Sequence, residues 1–356
     1  MKIKLIDTTD IPAWDKYVEA HRGATLYHLS TWERVIRKTY GHKTYYLMAV
    51  KNDNSVAGVL PLVHLKHFIF GNSLVSIPFF DMGGILADDE QTEKEIMARA
   101  VEIGKKLGTE NIELRHTGPL LCPVDSDQPG MNLSVQIRSH KVRMLLALSE
   151  SSEILMKSFK SKLRSQIKKP MKESLHSKIG GKDILDDFYM VFLKNMRDLG
   201  SPVHSKKLIK NVLEEFPDKA RIVMIYKDSQ PLACSLVVGF RETLENPWAS
   251  SLREYSRLSP NMLLYWTMLE YGCDNGYAFF DFGRSSPDEG TYKFKEQWGA
   301  KPNPLHWHYI SLSGKPLIEN DKDDKSKFDK AIQYWKKLPV PVTKIIGPLV
   351  RKHVGL

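Results

Sequence analysis

The stretch from Gly276 to Ala300 gathers residue types that can do chemistry. Tyr277, Phe279, Phe280 and Phe282 are aromatic and suit a packed strand. Asp281 lies inside that run, and Gly283-Arg284-Ser285-Ser286 ends it. Past Pro287 and Gly290 come Tyr292, Lys293, Lys295 and Trp298. A carboxylate at a strand end can serve as a general base, and a tyrosine can relay a proton or position an acceptor. An arginine fork beside a serine and two lysines can grip a phosphate or carboxylate. On an extended segment, Lys293 and Lys295 alternate with Tyr292 and Phe294 and share one face. A structural reading competes at each position: Asp281 pairing with Arg284 or capping a helix, Tyr292 in the core, Trp298 as packing.

Elements that would position this stretch can be read on either side of it. A strand over 220–226, the turn Lys227-Asp228-Ser229-Gln230 and a strand over 231–240 precede a strand-like 248–252. Ser259-Pro260 then reads as an N-cap followed by proline at the first helical position. The helix runs to about Asn275, Gly276 stops it, and the aromatic strand closes the unit. Asn261 and Tyr265 line the start of that helix.

The same order occurs earlier: strands over 45–50, 56–65 and 74–77, the turn-forming Asp81-Met82-Gly83-Gly84, an amphipathic helix over 90–107 ended by Gly108, and a strand over 111–115. Arg115 and Arg284 stand at matching places after the closing strands. The pattern reads as a duplication of two similar α/β domains, 1–150 and 151–320, followed by a tail over 321–356.

Length and charge agree with this division. The 356 residues suit about two domains. A net charge of +10 favours an anionic partner such as phosphates, nucleic acid or an acidic membrane surface. The basic run from Lys157 to Lys172 places Phe159, Leu163, Ile167 and Met171 on one helical face and Arg164, Lys168 and other cations around it. That face either grips phosphates or is simply solvated. The lysine-rich, apolar tail after Asp324 either packs on its own protein or lies on an anionic membrane.

Other chemistries find little support. Cys122, Cys234 and Cys273 are scattered, without the spacing of a zinc knuckle or disulfide framework. His306 and His308 share a strand face but have no third ligand at motif spacing. No HExxH, Walker loop or Rossmann glycine fingerprint occurs. The first residues reach an acid too soon for a signal-peptide core, and no apolar run is long enough for a membrane helix. A cytoplasmic location, with or without peripheral membrane contact, is the expectation.

Taken together, several motifs resemble those of a known family. Asn261-Met-Leu-Leu-Tyr265-Trp266, Phe280-Asp281-Phe282-Gly283-Arg284-Ser285 and Gly290-Thr291-Tyr292-Lys293-Phe294-Lys295 through Trp298-Gly299-Ala300 are similar to the FemAB-related branch of the GNAT acyltransferases. Ser161 to Lys169 resembles that family's basic helix, and Leu26 to Trp32 with Tyr40-Gly41-His42 resembles its opening. Leu338-Pro339 with Ile346-Gly347-Pro348-Leu349 resembles the subgroup associated with exosortase and exopolysaccharide systems.

The resemblance implies tandem GNAT-like domains, each a mixed sheet flanked by helices, and N-acyl transfer without a tightly bound cofactor or metal. The donor would be acyl-CoA or aminoacyl-tRNA, and the acceptor an amine of an envelope or saccharide precursor. Asp281 and Tyr292 are then the candidate catalytic residues. Arg284, Ser285, Lys293, Lys295, Asn261, Tyr265, Arg164, Lys168 and Arg115 are the candidate substrate-binding residues. In this fold a backbone N–H at a splayed strand stabilises the oxyanion, so no nucleophile need appear. The chain departs from CoA-dependent relatives before the second helix. It reads Arg257-Leu258-Ser259-Pro260-Asn261, without their pyrophosphate-binding glycines, and the first domain offers the acidic Ala87-Asp88-Asp89-Glu90. A CoA-dependent N-acetyltransferase with a degenerate loop and a non-catalytic anion- or RNA-binding protein are the alternatives.

Overall fold

The computed structural model describes residues 1–121, 133–314 and 322–355. Cys122 and the side chains of 322–328 lie outside what is described. The chain begins β1 (Lys2–Leu5), α1 (Ile11–Ala20), α2 (Thr31–Tyr40), β2 (Lys43–Val50), β3 (Val56–His67), β4 (Gly71–Ser76), β5 (Leu86–Ala87), α3 (Glu90–Leu107), β6 (Asn111–His116) and β7 (Ser134–Arg138). It continues with β8 (Val142–Ala147), α4 (Ser152–Ser158), α5 (Ser161–Lys172), β9 (Leu175–Gly180), α6 (Leu185–Leu199), α7 (Lys206–Glu215), β10 (Ala220–Lys227), β11 (Gln230–Phe240) and β12 (Thr243–Ser251). Last come α8 (Pro260–Asp274), β13 (Phe279–Ser285), α9 (Gly290–Glu296), β14 (Lys301–Pro304), β15 (His306–Ser311), α10 (Lys322–Lys337) and α11 (Val340–Arg351).

Contacts divide the chain into two units. The first is Met1–Val142 with Asn303–Glu319 and Lys352–Leu356; the second is Arg143–Pro302 with Asn320–Arg351. The sequence reading carries the second domain on to residue 320. Here 303–319 goes with the first unit, because β15 pairs with β6 on one side and β7 on the other.

In the first unit the strand order is β1-β2-β3-β4-β6-β15-β7, with β5 paired to β3. Helix α3 forms where its apolar spacing predicts. Asp89 caps it by accepting from Thr92 N (2.8 Å), and Gly108 ends it in the left-handed conformation. Ile96, Met97, Ala100 and Val101 bury against Leu60, Leu62, Leu74 and Ile112 of the sheet. Such side chains contribute roughly 1.5–3 kcal/mol each on burial.

In the second unit the order is β14-β8-β13-β12-β11-β10-β9. Helix α8 is buried along most of its length and α6 packs on β11 and β12. The basic run is two helices rather than one. The backbone is extended at Phe159 and Lys160, and α5 begins afresh at Ser161. Arg164 fastens the break, donating to the carbonyls of Lys157 (3.2 Å) and Phe159 (2.9 Å). These are orphan acceptors at the end of α4. Leu163 and Ile167 are buried as their spacing predicts, whereas Met171 is exposed.

Candidate active site: an opening between two parallel strands

Within the second unit, β12, α8 and β13 form a crossover whose strands are parallel. That connectivity places the N-terminus of α8 at the C-terminal ends of both strands. Pairing covers only Thr243, Leu244 and Glu245 against Phe279, Phe280 and Asp281. Beyond these, β12 continues to Ser251 and β13 to Ser285 without partnering each other. The same place is irregular on the other side of β12. Leu236 faces Trp248 and Val238 faces Glu245, so Asn246 and Pro247 form a bulge opposite Val237. Pro247 has no N–H to offer a ladder, which suits a strand leaving regular pairing.

Charged side chains hold this divergence. Glu245 and Asp281 end the paired stretch side by side and are almost wholly buried. Arg143 of β8 bridges them, with Nε 2.5 Å from Asp281 Oδ2 and Nη2 3.5 Å from Glu245 Oε1. Asp281 Oδ1 accepts from the backbone N–H of Gly283 (2.7 Å). Gly283 has φ +74°, a conformation that glycine adopts without strain. Lys295, also buried, donates to the carbonyls of Gly283 (3.0 Å) and Arg284 (2.8 Å). The end of β13 is thereby turned and pinned, and β12 beyond Glu245 is not paired to it.

A ring ladder packs behind the opening. Tyr265 of α8 stacks on Phe282 at 5.4 Å and meets Phe294 at 5.0 Å, and Trp298 meets Phe159 at 5.7 Å. Burial pushes the Tyr265 hydroxyl up to about 12, with its hydrogen bond to Asn246 pulling the other way. Tyr265 is therefore neutral near pH 7 and can donate but not act as a base. The hydroxyl of Ser285 and the indole Nε1 of Trp298 are buried without a hydrogen-bond partner.

The same unit holds a cavity of ≈ 670 Å³ between the end of β8, helices α4 and α5, and the end of α9. Lys160, Lys162 and Lys293 line it, with Phe159, Trp298, Gln166, Gln297 and one acid, Glu296. The cations stand near the N-terminus of α5, whose unpaired N–H groups also favour anions.

Residues 157–296 match the acetyltransferase (GNAT) domain family. That stretch is a GNAT-type domain. Among solved structures, FemX superposes with a TM-score of 0.67 at 15% identity, covering 89% of this chain and 98% of FemX. The C-terminal domain of a putative lysylphosphatidylglycerol synthetase from Agrobacterium fabrum gives 0.57 at 12% identity, covering 91% and 96%. A tandem GNAT protein from the clavulanic acid biosynthesis pathway gives 0.55 at 11%, covering 89% and 100%. At these identities the likeness establishes the fold alone: two GNAT-like units in tandem. No curated protein matches the chain by sequence.

Within the GNAT domain the sequence-predicted residues separate into groups. Arg284 and Ser285 stand at the end of β13, half-buried and buried respectively, and Asn261 is half-buried in the first turn of α8. Tyr292 and Lys293 lie on α9, and this corrects the extended reading of the loop. On a helix, residues two apart diverge by roughly 200°. Lys293 is accordingly exposed and lines the cavity, while Lys295 turns inward to the backbone. Asp281 pairs with Arg143, and both its oxygens are engaged at the strand turn. Arg164 fastens α4 to α5, and Lys168 is exposed on α5. Sequence reasoning missed Arg143, Glu245 and Asn246 as members of the site, whereas Lys160 and Lys162 belong to the basic run read as a possible grip on phosphates. The polar Glu-Asn-Pro run inside an apolar strand was the available signal for the bulge.

The first unit repeats the motif. β4 and β6 are parallel and pair over Ser73–Val75 and Asn111–Glu113. Beyond that Arg115 is held by the unit's own backbone, beside a cavity of ≈ 190 Å³ that His28, Gly84, Arg115 and His116 line. Arg115, 1% exposed, donates to the carbonyls of Ile77 (3.3 Å) and Phe80 (2.5 Å), pairs with Glu113 (2.8 Å) and covers the Trp307 ring. Phe79 N donates to Gly355 O (2.7 Å). Arg115 is thus engaged in this framework, and the first turn of α3 carries Glu90 and Glu93.

His28, His116 and His308 are buried beside it. Backbone partners fix their protons. His116 Nε2 accepts from Ile85 N (2.9 Å), so its Nδ1 carries hydrogen toward His308 Nδ1 (3.1 Å). His28 Nδ1 accepts from Thr25 N (3.0 Å), so its Nε2 donates to Gly84 O (3.1 Å). No group of three or more His, Cys, Asp or Glu among the described residues is arranged to hold a metal. Cys234 is fully buried, which pushes its thiol well above the ordinary value and leaves it a poor nucleophile.

Proposed function

We propose that the protein is an N-acyltransferase. It moves an acyl or aminoacyl group from an activated ester or thioester to an amine of an envelope or polysaccharide precursor. The observation that carries this reading is the opening between β12 and β13, which begins after Glu245 and Asp281 at the N-terminal end of α8.

An acyl carbonyl seated against β12 beyond Glu245 would meet backbone N–H groups in fixed positions. Such donors stabilise a developing oxyanion without reorganising. The acceptor nitrogen attacks the carbonyl carbon and forms a C–N bond. Collapse of the tetrahedral intermediate breaks the bond to the carrier, and the proton lost by the amine leaves with the carrier's hydroxyl or thiol. The unpartnered Ser285 hydroxyl and the neutral Tyr265 hydroxyl are donors close to that path. Tyr292 remains the candidate for positioning the acceptor. Lys160, Lys162 and Lys293 would hold the carrier's phosphates, with Arg284 and Lys168 as further cations.

The helix start Ser259-Pro260-Asn261 lacks the glycines that would let a backbone wrap a pyrophosphate, so aminoacyl-tRNA is favoured over acyl-CoA. The test is turnover of charged tRNA and of acyl-CoA with amine acceptors. Transfer from charged tRNA is expected, with donor KM rising about tenfold or more in the Lys160→Gln, Lys162→Gln, Lys293→Gln triple variant. Failure of both donors overturns the reading. Salt-dependent, sequence-blind RNA binding without turnover would replace it with a non-catalytic one.

A further inference from the structure

Helix α11 packs on the second unit by its polar and small residues and turns its apolar ones outward. Thr343, Gly347 and Arg351, spaced one helical turn apart, are the buried positions. Gly347 brings the helix against Val203: an added Cβ would stand 2.9 Å from Val203 Cγ1 and 3.1 Å from its backbone nitrogen. Arg351 Nε donates to His204 Nε2 (3.0 Å). The opposite face carries Val342, Ile345, Ile346 and Leu349, exposed by 38%, 71%, 36% and 55%. This is the reverse of a helix that serves its own core.

The charge around that face selects its occupant. Helix α11 contains Lys344, which is exposed, and no acid. Just before it stand Lys336 and Lys337 with the exposed Tyr334, and no Asp or Glu occurs from Lys330 onward. A continuous apolar stripe bordered by lysines fits an interface of acyl chains beneath anionic headgroups. At 12 residues α11 is about 18 Å long, too short to cross a bilayer. No helix among the described residues is long and apolar enough to cross.

We propose that α11 is an interfacial helix that docks the protein on an anionic lipid bilayer, burying Val342, Ile345, Ile346 and Leu349 while Lys344 and Lys337 meet the headgroups. The test is cosedimentation of the full chain with phosphatidylglycerol-containing vesicles and with phosphatidylcholine vesicles. Binding is expected only to the anionic vesicles and is weakened by salt. Ile345→Glu with Leu349→Glu should reduce it at least about tenfold. Lys337→Gln and Lys344→Gln should each reduce it about fivefold. Both apolar positions face solvent, so unchanged thermal unfolding will show that the fold survives. Four results would overturn the proposal. The wild-type chain could fail to bind, or the paired glutamates could leave binding intact. Loss could instead follow Phe68→Ser in the exposed Phe68-Ile69-Phe70 tip of the first unit. A dimer broken by the glutamate pair, without vesicle binding, would assign the face to a second copy of this chain instead.

Discussion

At the residue scale, Asp281 separates chemistry from architecture. Its carboxylate is almost wholly buried, paired with Arg143 and bonded to the Gly283 N–H, so it fixes the turn that opens β13 from β12. Asp281→Asn should destabilise the protein by about 3 kcal/mol, the scale of breaking a buried pair, as measured by urea unfolding. Its remaining turnover should keep the wild-type pH profile, because a positioning group does not titrate in the rate. A shifted acid limb with unchanged stability would mark Asp281 as the general base instead. Lys295 acts similarly through the carbonyls of Gly283 and Arg284. By contrast, Ser285→Ala removes a hydroxyl with no partner in the folded chain, so stability should change by less than about 0.5 kcal/mol. If that hydroxyl contacts the reacting groups, kcat should fall several-fold in the same variant.

At the element scale, two helix placements depend on single small contacts. Helix α11 approaches Val203 only because residue 347 lacks a side chain. Gly347→Val should lift it and cost about 1–3 kcal/mol, seen as faster amide exchange across 340–351 while β10 to β13 stay protected. The α4–α5 break depends on Arg164, which satisfies carbonyls of Lys157 and Phe159. That break lets Lys160 and Lys162 line the cavity together with Lys293, although α9 lies more than a hundred residues further along the chain. A single helix through 157–172 has those lysines on its periodic faces, and sequence spacing alone carries no sign of the reorganisation.

At the scale of the whole molecule, buried imidazoles set an acid limit. Burial pushes His28 and His308 down to about 4 from the ordinary 6.5, and His116 and His204 are pushed down for the same reason. Between those values the unfolded chain binds more protons than the native one, so unfolding free energy falls as pH drops through that window. Above about 6.5 these groups contribute no slope. Urea midpoints measured across this range should show the fall. Expressed alone, residues 1–150 lack β15 and leave the β6 edge unpaired, so this fragment should aggregate where the full chain does not. The sequence by itself determined the tandem α/β order, the span of α3 from Glu90 to Leu107 and the lysine-rich character of the segments, because these follow from periodicity, capping and composition within short windows. Only the tertiary structure decided that β15 joins the first sheet, that Arg143 reaches Glu245 and Asp281, and that Arg115 is held by the backbone of Ile77 and Phe80. Those outcomes depend on pairings between distant residues, whose partners are fixed by strand register and by the need to satisfy buried charge.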